Sequence, residues 1–174
     1  MKHSSGFRRA AAAALLAAAI ALVATATAGA AQGSTTLTLK EPENGSTFTF
    51  IDNAPTSKKT HGFPTKISPG DEIAITNPLT EGGKTVGKLR ARCTATAGAK
   101  TTSGAGSDPF AAAHFICEGV FSLGGNRLYG NATIVKGGTE GAITGGTGKY
   151  AGARGTFVSK EGKGASTTTI TLLE

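Results

Sequence analysis

The chain contains no tryptophan, two cysteines and three histidines, and aromatic residues make up only 6% of it. This shortage excludes several kinds of site. No His or Cys spacing matches a zinc site, and the single histidine well inside a predicted strand, His114, is best interpreted as structural. No nucleophile stands in a recognisable pattern with a base, so a hydrolase has no support. The sequence therefore predicts neither a metal nor a cofactor.

Acidic residues are also scarce, with 11 Asp and Glu against 18 Lys and Arg and a formal net charge of +7. Lys2, Arg8 and Arg9 supply three of these positive charges in a segment without acids, which leaves +4 for the rest of the chain. The remaining basic residues are spread along the sequence, and no basic run is interleaved with aromatics. That distribution argues against a nucleic-acid partner.

Residues 1–31 have the pattern of a secretory signal peptide. A positive start precedes an uncharged apolar run over residues 10–23, and small residues with Ala-x-Ala spacing follow at Ala26 and Ala28. A membrane anchor is the alternative, but the run is shorter than the roughly 20 apolar residues that a span needs. We expect cleavage, no stable membrane anchor, and a secreted, extracellular domain over residues 32–174. The alanine and glycine bias suggests a bacterial source.

Glycine is abundant, with 26 residues, and it is densest over residues 142–155, where five glycines surround Tyr150. A phosphate loop would need a glycine in place of Ile143 and Ser or Thr in place of Tyr150. A dinucleotide fingerprint at Gly146 and Gly148 would need a helix after it, and further glycines interrupt any such helix. The stretch therefore predicts a tight corner between strands.

Short alternating segments fill the domain, and no stretch after the leader has helical periodicity. Leu37 and Leu39 share one face of the first segment, and Glu41 continues that face. Turn signals such as Gly124-Gly125 separate the segments. This spacing is typical of a β-barrel or a sandwich. The predicted strands are residues 35–41, 48–51, 72–77, 86–96, 111–123, 127–135, 156–159 and 167–173, with long loops over 52–69 and 98–108.

The two cysteines fall opposite each other if residues 86–96 and 111–123 form a hairpin centred near Ala105. Directly opposed residue numbers then sum to 210, as those of Cys93 and Cys117 do. Both cysteines also lie on the apolar face. In an exported protein a disulfide is the expected state, and the alternative is a free, reactive Cys93.

Several motifs resemble those of the dirigent and allene oxide cyclase superfamily. Residues 145–155 match a Gly-Gly-x-Gly-x-aromatic-x-x-Ala-x-Gly signature, and Ala142-Ile143-Thr144 precede it as in the cyclases. Residues 70–77 are similar to a Gly-Asp-x-x-x-x-x-Asn strand, and Val86-Gly87 followed by Cys93 is similar to the next strand. The resemblance implies an all-β fold, an eight-stranded antiparallel β-barrel of the calycin type.

The resemblance also implies site residues. In the plant cyclases an inward glutamate takes part in charge delocalisation, an inward asparagine holds a water, and an inward cysteine shapes the cavity; Glu41, Asn77 and Cys93 stand at the matching positions. Glu41 and Asn77 are thus the candidate catalytic residues. Where the family has a cavity tyrosine, this chain has Thr133. The predicted ligand contacts are Cys93, Phe115 and Tyr129.

The residues themselves agree on location, since Glu41 and Asn77 each extend an apolar face and so point into a barrel. A carboxylate there suits acid–base chemistry or polar anchoring of a ligand. The alternatives are that Glu41 ends its strand in solvent and that Asn77, before Pro78, caps a turn. Small inward residues favour a cavity: Ala91, Ala95, Gly119, Gly130 and Ala132.

Two functions follow from these observations. The first is a barrel that binds a small apolar molecule in its interior and directs a cyclisation or a stereoselective coupling; as an enzyme it would be an isomerase or cyclase. The second is a non-enzymatic secreted or cell-surface protein with a filled barrel, whose loops make structural contacts. Fold does not decide between them. The sequence does not indicate an oligomeric state.

Overall fold

The computed structural model describes residues 33–57, 59–60, 63–100 and 109–173, and the predicted leader over residues 1–31 lies outside them. The described chain consists mainly of strands, with one four-residue helix, α1 (Pro109–Ala112), and a 3-10 turn at Gly148–Tyr150. The strands are β1 (Ser34–Pro42), β2 (Thr47–Ile51), β3 (Lys59–Thr60), β4 (Phe63–Pro64), β5 (Lys66–Ile67), β6 (Glu72–Glu81), β7 (Lys84–Ala97), β8 (Ala99–Lys100), β9 (His114–Leu123), β10 (Asn126–Val135), β11 (Gly138–Thr147), β12 (Arg154–Lys160) and β13 (Ala165–Leu173).

Eight of these strands form an antiparallel barrel in the order β1-β13-β12-β11-β10-β9-β7-β6. Pairing of Lys40 in β1 with Thr80 in β6 closes the barrel. Where β1 leaves this seam, β2 pairs with the first half of β6. The predicted all-β, eight-stranded antiparallel barrel is therefore confirmed, and with it the fold that the dirigent and allene oxide cyclase resemblance implied.

Side chains alternate between the barrel interior and the solvent, as the period of two in a strand requires. Along β1, Leu39 and Glu41 are buried while Thr38 and Lys40 are exposed. The interior is packed with aliphatic and aromatic residues, most of them from the predicted apolar faces. Leu39, Ile73, Phe121, Leu128 and Ile170 are each at most 2% exposed.

The glycine-rich stretch closes one end of the barrel. β11 runs through Gly145 and Gly146, and the chain then turns back so that Tyr150 is buried in the core. The backbone N–H of Lys149 donates to Asn126 Oδ1 at 3.0 Å, which ties this corner to the turn between β9 and β10. The predicted corner is thus present over residues 148–153, between the end of β11 and the start of β12.

The structure differs from the sequence-based expectation in several segments. β11 was not predicted as a strand; it occupies the first part of the predicted glycine corner, and it takes the place in the barrel that the predicted segment 48–51, now β2, does not fill. The predicted loop over residues 98–108 begins with the short strand β8. Residues 111–112 belong to α1 and not to a strand; proline and alanine at this position favour a helix start over a strand. β6 continues through Pro78 to Glu81, so Asn77 does not cap a turn. The predicted loop over residues 52–69 contains the short strands β3, β4 and β5.

The buried Asp71 anchors that loop. Its side chain accepts hydrogen bonds from the backbone N–H groups of Asn53, at 2.9 Å, and Ser68, at 2.7 Å. Asp71 is fully buried, and two backbone donors satisfy it there. The aspartate of the predicted Gly-Asp motif therefore has a structural role, which is to hold the loop against the barrel.

Candidate functional site

Glu41 lies at the centre of the candidate site. It continues the inward face of Leu37 and Leu39 on β1 and is only 6% exposed, so it does not end its strand in solvent. Asn77 Nδ2 donates a hydrogen bond of 2.6 Å to Glu41 Oε2, and the hydroxyl of Thr168 donates to Glu41 Oε1. Each carboxylate oxygen therefore has one protein donor, and both donors are neutral groups.

The strand pairing brings these three residues together. Thr168 lies on β13 opposite Leu39, one inward position away from Glu41 along the β1–β13 pair. Asn77 faces inward from β6, whose Thr80 pairs with Lys40 of β1. Glu41 thus meets one partner across each edge of its strand. The alignment depends on the barrel seam, which joins residues 36 positions apart in the chain.

The Glu41 carboxylate borders a cavity of about 150 Å³ inside the barrel. Its walls come from all eight barrel strands and from Glu161 just after β12, with a polar part around Glu41 and a larger apolar part. An apolar cavity of this size accommodates a molecule as large as benzene. The lining residues are Glu41, Ile75, Asn77, Leu89, Ala91, Cys93, Cys117, Gly119, Phe121, Gly130, Ala132, Ile134, Gly138, Thr139, Phe157, Ser159, Glu161, Ser166 and Thr168.

Two phenylalanines define the apolar part of the cavity. The Phe121 and Phe157 rings meet edge to face, with centroids 5.2 Å apart. The Phe157 ring lies over two glycines: an added Cβ would come within 3.0 Å of it at Gly130 and within 2.6 Å at Gly141. Glycine at these positions makes room for the ring. Small inward residues thus serve partly to seat Phe157 and partly to leave the cavity open.

The predicted Cys93–Cys117 disulfide is present, and it forms part of the cavity wall. The two residues are directly opposed in the β7–β9 pair, as the numbering argument required. No free cysteine occurs in the described residues, and the chain has only these two. The alternative of a reactive Cys93 thiol is therefore excluded in this state. Cys93 shapes the cavity as one half of a crosslink.

Phe115 and Tyr129, the other predicted ligand contacts, lie away from this cavity. Phe115 is fully buried and packs against Phe110, with ring centroids 6.2 Å apart. Tyr129 lies between the inward residues Leu128 and Gly130, so alternation turns its ring to the outer surface. There it borders a shallow depression with Arg90 and Arg92. The structure thus brings Glu41, Asn77 and Cys93 together but not Phe115 or Tyr129.

Comparison with known proteins gives similarities of structure. No family model and no curated protein matches the chain. The barrel is similar in fold to pyocyanin demethylase. That match has a TM-score of 0.56 and 22% sequence identity, and it covers 79% of this chain and 99% of the other. A pterocarpan synthase dirigent protein matches with a TM-score of 0.47 and 22% identity, over 82% of this chain and 89% of that one.

The sequence interpretation missed Thr168 and Phe157. Thr168 shares its face with Ile170 and Leu172, so a polar residue in an apolar row was the available signal, but neighbouring threonines on both faces of β13 obscured it. Phe157 was placed in a strand, and nothing local indicates that its ring reaches across to glycines on β10 and β11. Contacts between distant strands are set by barrel closure and register, which the sequence does not state.

The described residues show no other catalytic constellation. Within them, no group of three His, Cys, Asp or Glu side chains is arranged to hold a metal ion. His114 is exposed and its Nδ1 lies 2.9 Å from the Thr96 hydroxyl, a contact between neighbouring strands. The helical part of the described chain is too short to cross a membrane. The chemistry of the site therefore rests on Glu41 and its two partners.

Proposed function

We propose that this protein is a secreted barrel that binds a small, mainly apolar molecule in its interior and holds it against Glu41. One observation carries the proposal: a buried carboxylate, hydrogen-bonded on both oxygens, faces a cavity whose other walls are largely apolar. An eight-stranded barrel has room either for its own side chains or for one small ligand. Here glycine and alanine occupy inward positions that larger side chains would fill.

Burial of Glu41 supports binding over a purely structural interior. Placing a carboxylate in a low-dielectric interior is unfavourable unless it is well hydrogen-bonded, and an aliphatic residue at position 41 would avoid that cost. Two neutral donors compensate only in part, because an ionised carboxylate has about four acceptor sites. The remaining acceptor sites face the cavity, where a ligand would meet them.

Within this proposal, Glu41 and Asn77 are the candidate catalytic residues and the reaction is a cyclisation or a stereoselective coupling. A rigid cavity favours such reactions by holding a reactive molecule in one conformation, which needs few chemical groups. The similar structure, pyocyanin demethylase, is by its name an enzyme acting on a small molecule, which supports a small-molecule ligand over a macromolecular partner. Secretion follows from the leader and the disulfide together.

The proposal is tested by measuring the binding of toluene to the full-length protein with ligand-observed NMR. Gly119→Ala adds a methyl group to the cavity wall, and its Cβ would make ordinary contacts of 3.5 Å with Ala91 and Leu89. The fold should tolerate this methyl group. We expect it to weaken toluene binding roughly tenfold, because overfilling a cavity typically costs about 1–3 kcal/mol.

Gly145→Ala is the matched control. It is the same substitution on β11, where the nearest atom to an added Cβ is Tyr129 Cδ2 at 3.9 Å, outside the cavity. Toluene binding should be unchanged in this variant. If the native protein takes up no toluene, and extraction of the purified protein releases no small molecule, the barrel is filled. The structural or interaction function would then replace this proposal.

A further inference from the structure

The charges around the cavity have one sign. Among the described residues that line it, the two with ionisable side chains are Glu41 and Glu161, although the whole chain has a net charge of +7. Glu161 is exposed at the end of the barrel opposite the glycine corner, and Glu41 is buried within. Lys136 and Lys163 are in neighbouring turns, but both are exposed and neither lines the cavity. Solvent and salt screen such exposed lysines.

The two hydrogen-bonding partners of Glu41 offer acceptors, whereas the lining hydroxyls of Thr139, Ser159 and Ser166 can donate as well as accept. An ionised carboxylate only accepts, so the NH₂ group of Asn77 must face Glu41 and its Oδ1 must point elsewhere. Within the described part of the chain, Asn77 Oδ1 accepts no hydrogen bond. The hydroxyl hydrogen of Thr168 is already donated to Glu41, which leaves its oxygen as an acceptor. A ligand reaching this point therefore meets unfilled acceptor sites on three side chains.

The apolar walls strengthen this preference. Phe121, Phe157 and Ile75 make much of the cavity wall apolar, and electrostatic interactions are stronger in such surroundings than in water. A ligand carboxylate would lie beside the buried Glu41, and none of the described residues that line the cavity is basic. A ligand ammonium group would meet a carboxylate, an amide oxygen and a hydroxyl oxygen, and aromatic rings beyond them.

We infer that the cavity selects small apolar molecules that donate hydrogen bonds, protonated amines above all, and rejects carboxylates. This inference rests on the proposed function and names the substrate class of the same site. A hydrogen bond to a charged group favours the bound state by roughly ten- to a hundredfold in affinity. Benzylamine should therefore bind about ten to a hundred times more tightly than toluene, and benzyl alcohol should lie between them.

The test is a titration of the full-length protein with toluene, benzyl alcohol, benzylamine and benzoate at neutral pH, followed by ligand-observed NMR. The four probes have similar apolar bodies and differ in the polar group. Benzoate should give no measurable binding. If toluene binds and benzoate binds as tightly as benzylamine, the inference is overturned while the proposed function stands. If none of the four binds, the proposed function itself fails.

Glu41→Gln identifies the responsible group, because it removes the charge and keeps the shape. The preference for benzylamine over toluene should fall about tenfold. Glu140→Gln is the control: Glu140 is exposed on the outer face of β11, and the substitution changes the net charge equally. The assignment of the amine preference to Glu41 would be overturned if Glu41→Gln kept the native preference for benzylamine over toluene, or if Glu140→Gln lowered that preference equally. The probe series on the native protein remains decisive should Glu41→Gln not fold.

Discussion

Glu41 shows how a single carboxylate is accommodated inside a barrel. An ionised group loses its hydration on burial, and charge-assisted hydrogen bonds offset part of that cost. Here Asn77 and Thr168 provide those bonds, from the strands on either side of β1. Thr168 is 1% exposed, so its hydroxyl is itself a buried group whose hydrogen bond to Glu41 satisfies it. Glu41 and Thr168 therefore each satisfy a buried polar group of the other.

Replacing Thr168 by valine tests that dependence. The substitution keeps the shape of the side chain and removes the hydroxyl, leaving Glu41 Oε1 without its donor. We expect the free energy of unfolding to fall by roughly 1–3 kcal/mol, the cost of an unsatisfied buried group. Urea denaturation measures it. Thr169→Val, on the exposed face of the same strand, should change stability by less than about 0.5 kcal/mol. Equal effects would show that the Thr168 hydroxyl does not stabilise Glu41.

The sequence was informative for residues whose strand alternation is unambiguous. Glu41 follows two leucines at a spacing of two, and Cys93 lies in a row of small apolar residues, so both could be placed inside the barrel. Tyr129 follows the same rule, because its neighbours Leu128 and Gly130 face inward and it must face outward. Side-chain direction is the better guide.

At the scale of elements, the Cys93–Cys117 disulfide joins β7 and β9 at the cavity wall. It closes a loop with a sequence separation of 24. We expect its loss in the double variant Cys93→Ala/Cys117→Ala to lower the free energy of unfolding by about 3–4 kcal/mol in the chain-entropy model. Denaturation with and without reductant provides the measurement. Reductant should destabilise the native protein and leave the double variant unaffected. A similar response of both proteins to reductant would contradict this account.

The glycine corner provides a second prediction for an element. At Gly146 an added Cβ would lie 2.7 Å from Tyr150 Cβ and 2.8 Å from the Arg127 carbonyl oxygen. Because backbone atoms cannot move aside cheaply, Gly146→Ala should destabilise the protein by roughly 1–3 kcal/mol and loosen the packing of Tyr150. Gly145→Ala, one residue earlier in the same strand, meets no atom closer than 3.9 Å and should be close to neutral. Thermal unfolding of the two variants distinguishes them. Equal stability would mean that the corner does not need the close approach at Gly146.

The elements themselves could be predicted to different degrees. Glycine density indicated a corner over residues 142–155, but it concealed β11, which runs through Gly145 and Gly146 to Thr147. That boundary depends on how closely Tyr150 approaches Gly146, which is a tertiary contact. The helix α1 was missed because four residues are too few to show a period. Turn residues and alternation were sufficient for the long strands other than β11, whose many glycines gave no strand pattern.

For the whole molecule, the sequence predicted a closed barrel but not the position of its seam. β1 and β6 meet through Lys40 and Thr80, and this register alone puts Glu41 beside Asn77. The sequence around Glu41 does not indicate that Asn77 is its partner, because the seam joins strands that are separated in the chain by β2 and the long loop. The candidate site is thus a property of barrel closure. Local patterns identified its members, and the topology assembled them.

The predicted leader and the disulfide lead to one prediction for the whole molecule. Disulfides persist in oxidising compartments, so removal of residues 1–31 during export and formation of the Cys93–Cys117 bond should occur together. We predict that the full chain, expressed in a secreting bacterium, is recovered from the medium without these residues and with a mass two hydrogens below that of the dithiol form. Intact-protein mass spectrometry measures both changes at once.

A chain that begins at residue 32 and stays in a reducing cytosol is the control for this prediction. It should carry two free thiols. Its free energy of unfolding, measured with urea, should be lower than that of the secreted protein by the same roughly 3–4 kcal/mol that is expected for the double cysteine variant. Oxidation of the purified protein should then restore the lost stability, because the cysteines are already opposed in the folded barrel. Recovery of the uncut full chain from inside the cell would contradict secretion. If oxidation does not restore stability, the higher stability of the secreted protein comes from folding during export and not from the disulfide.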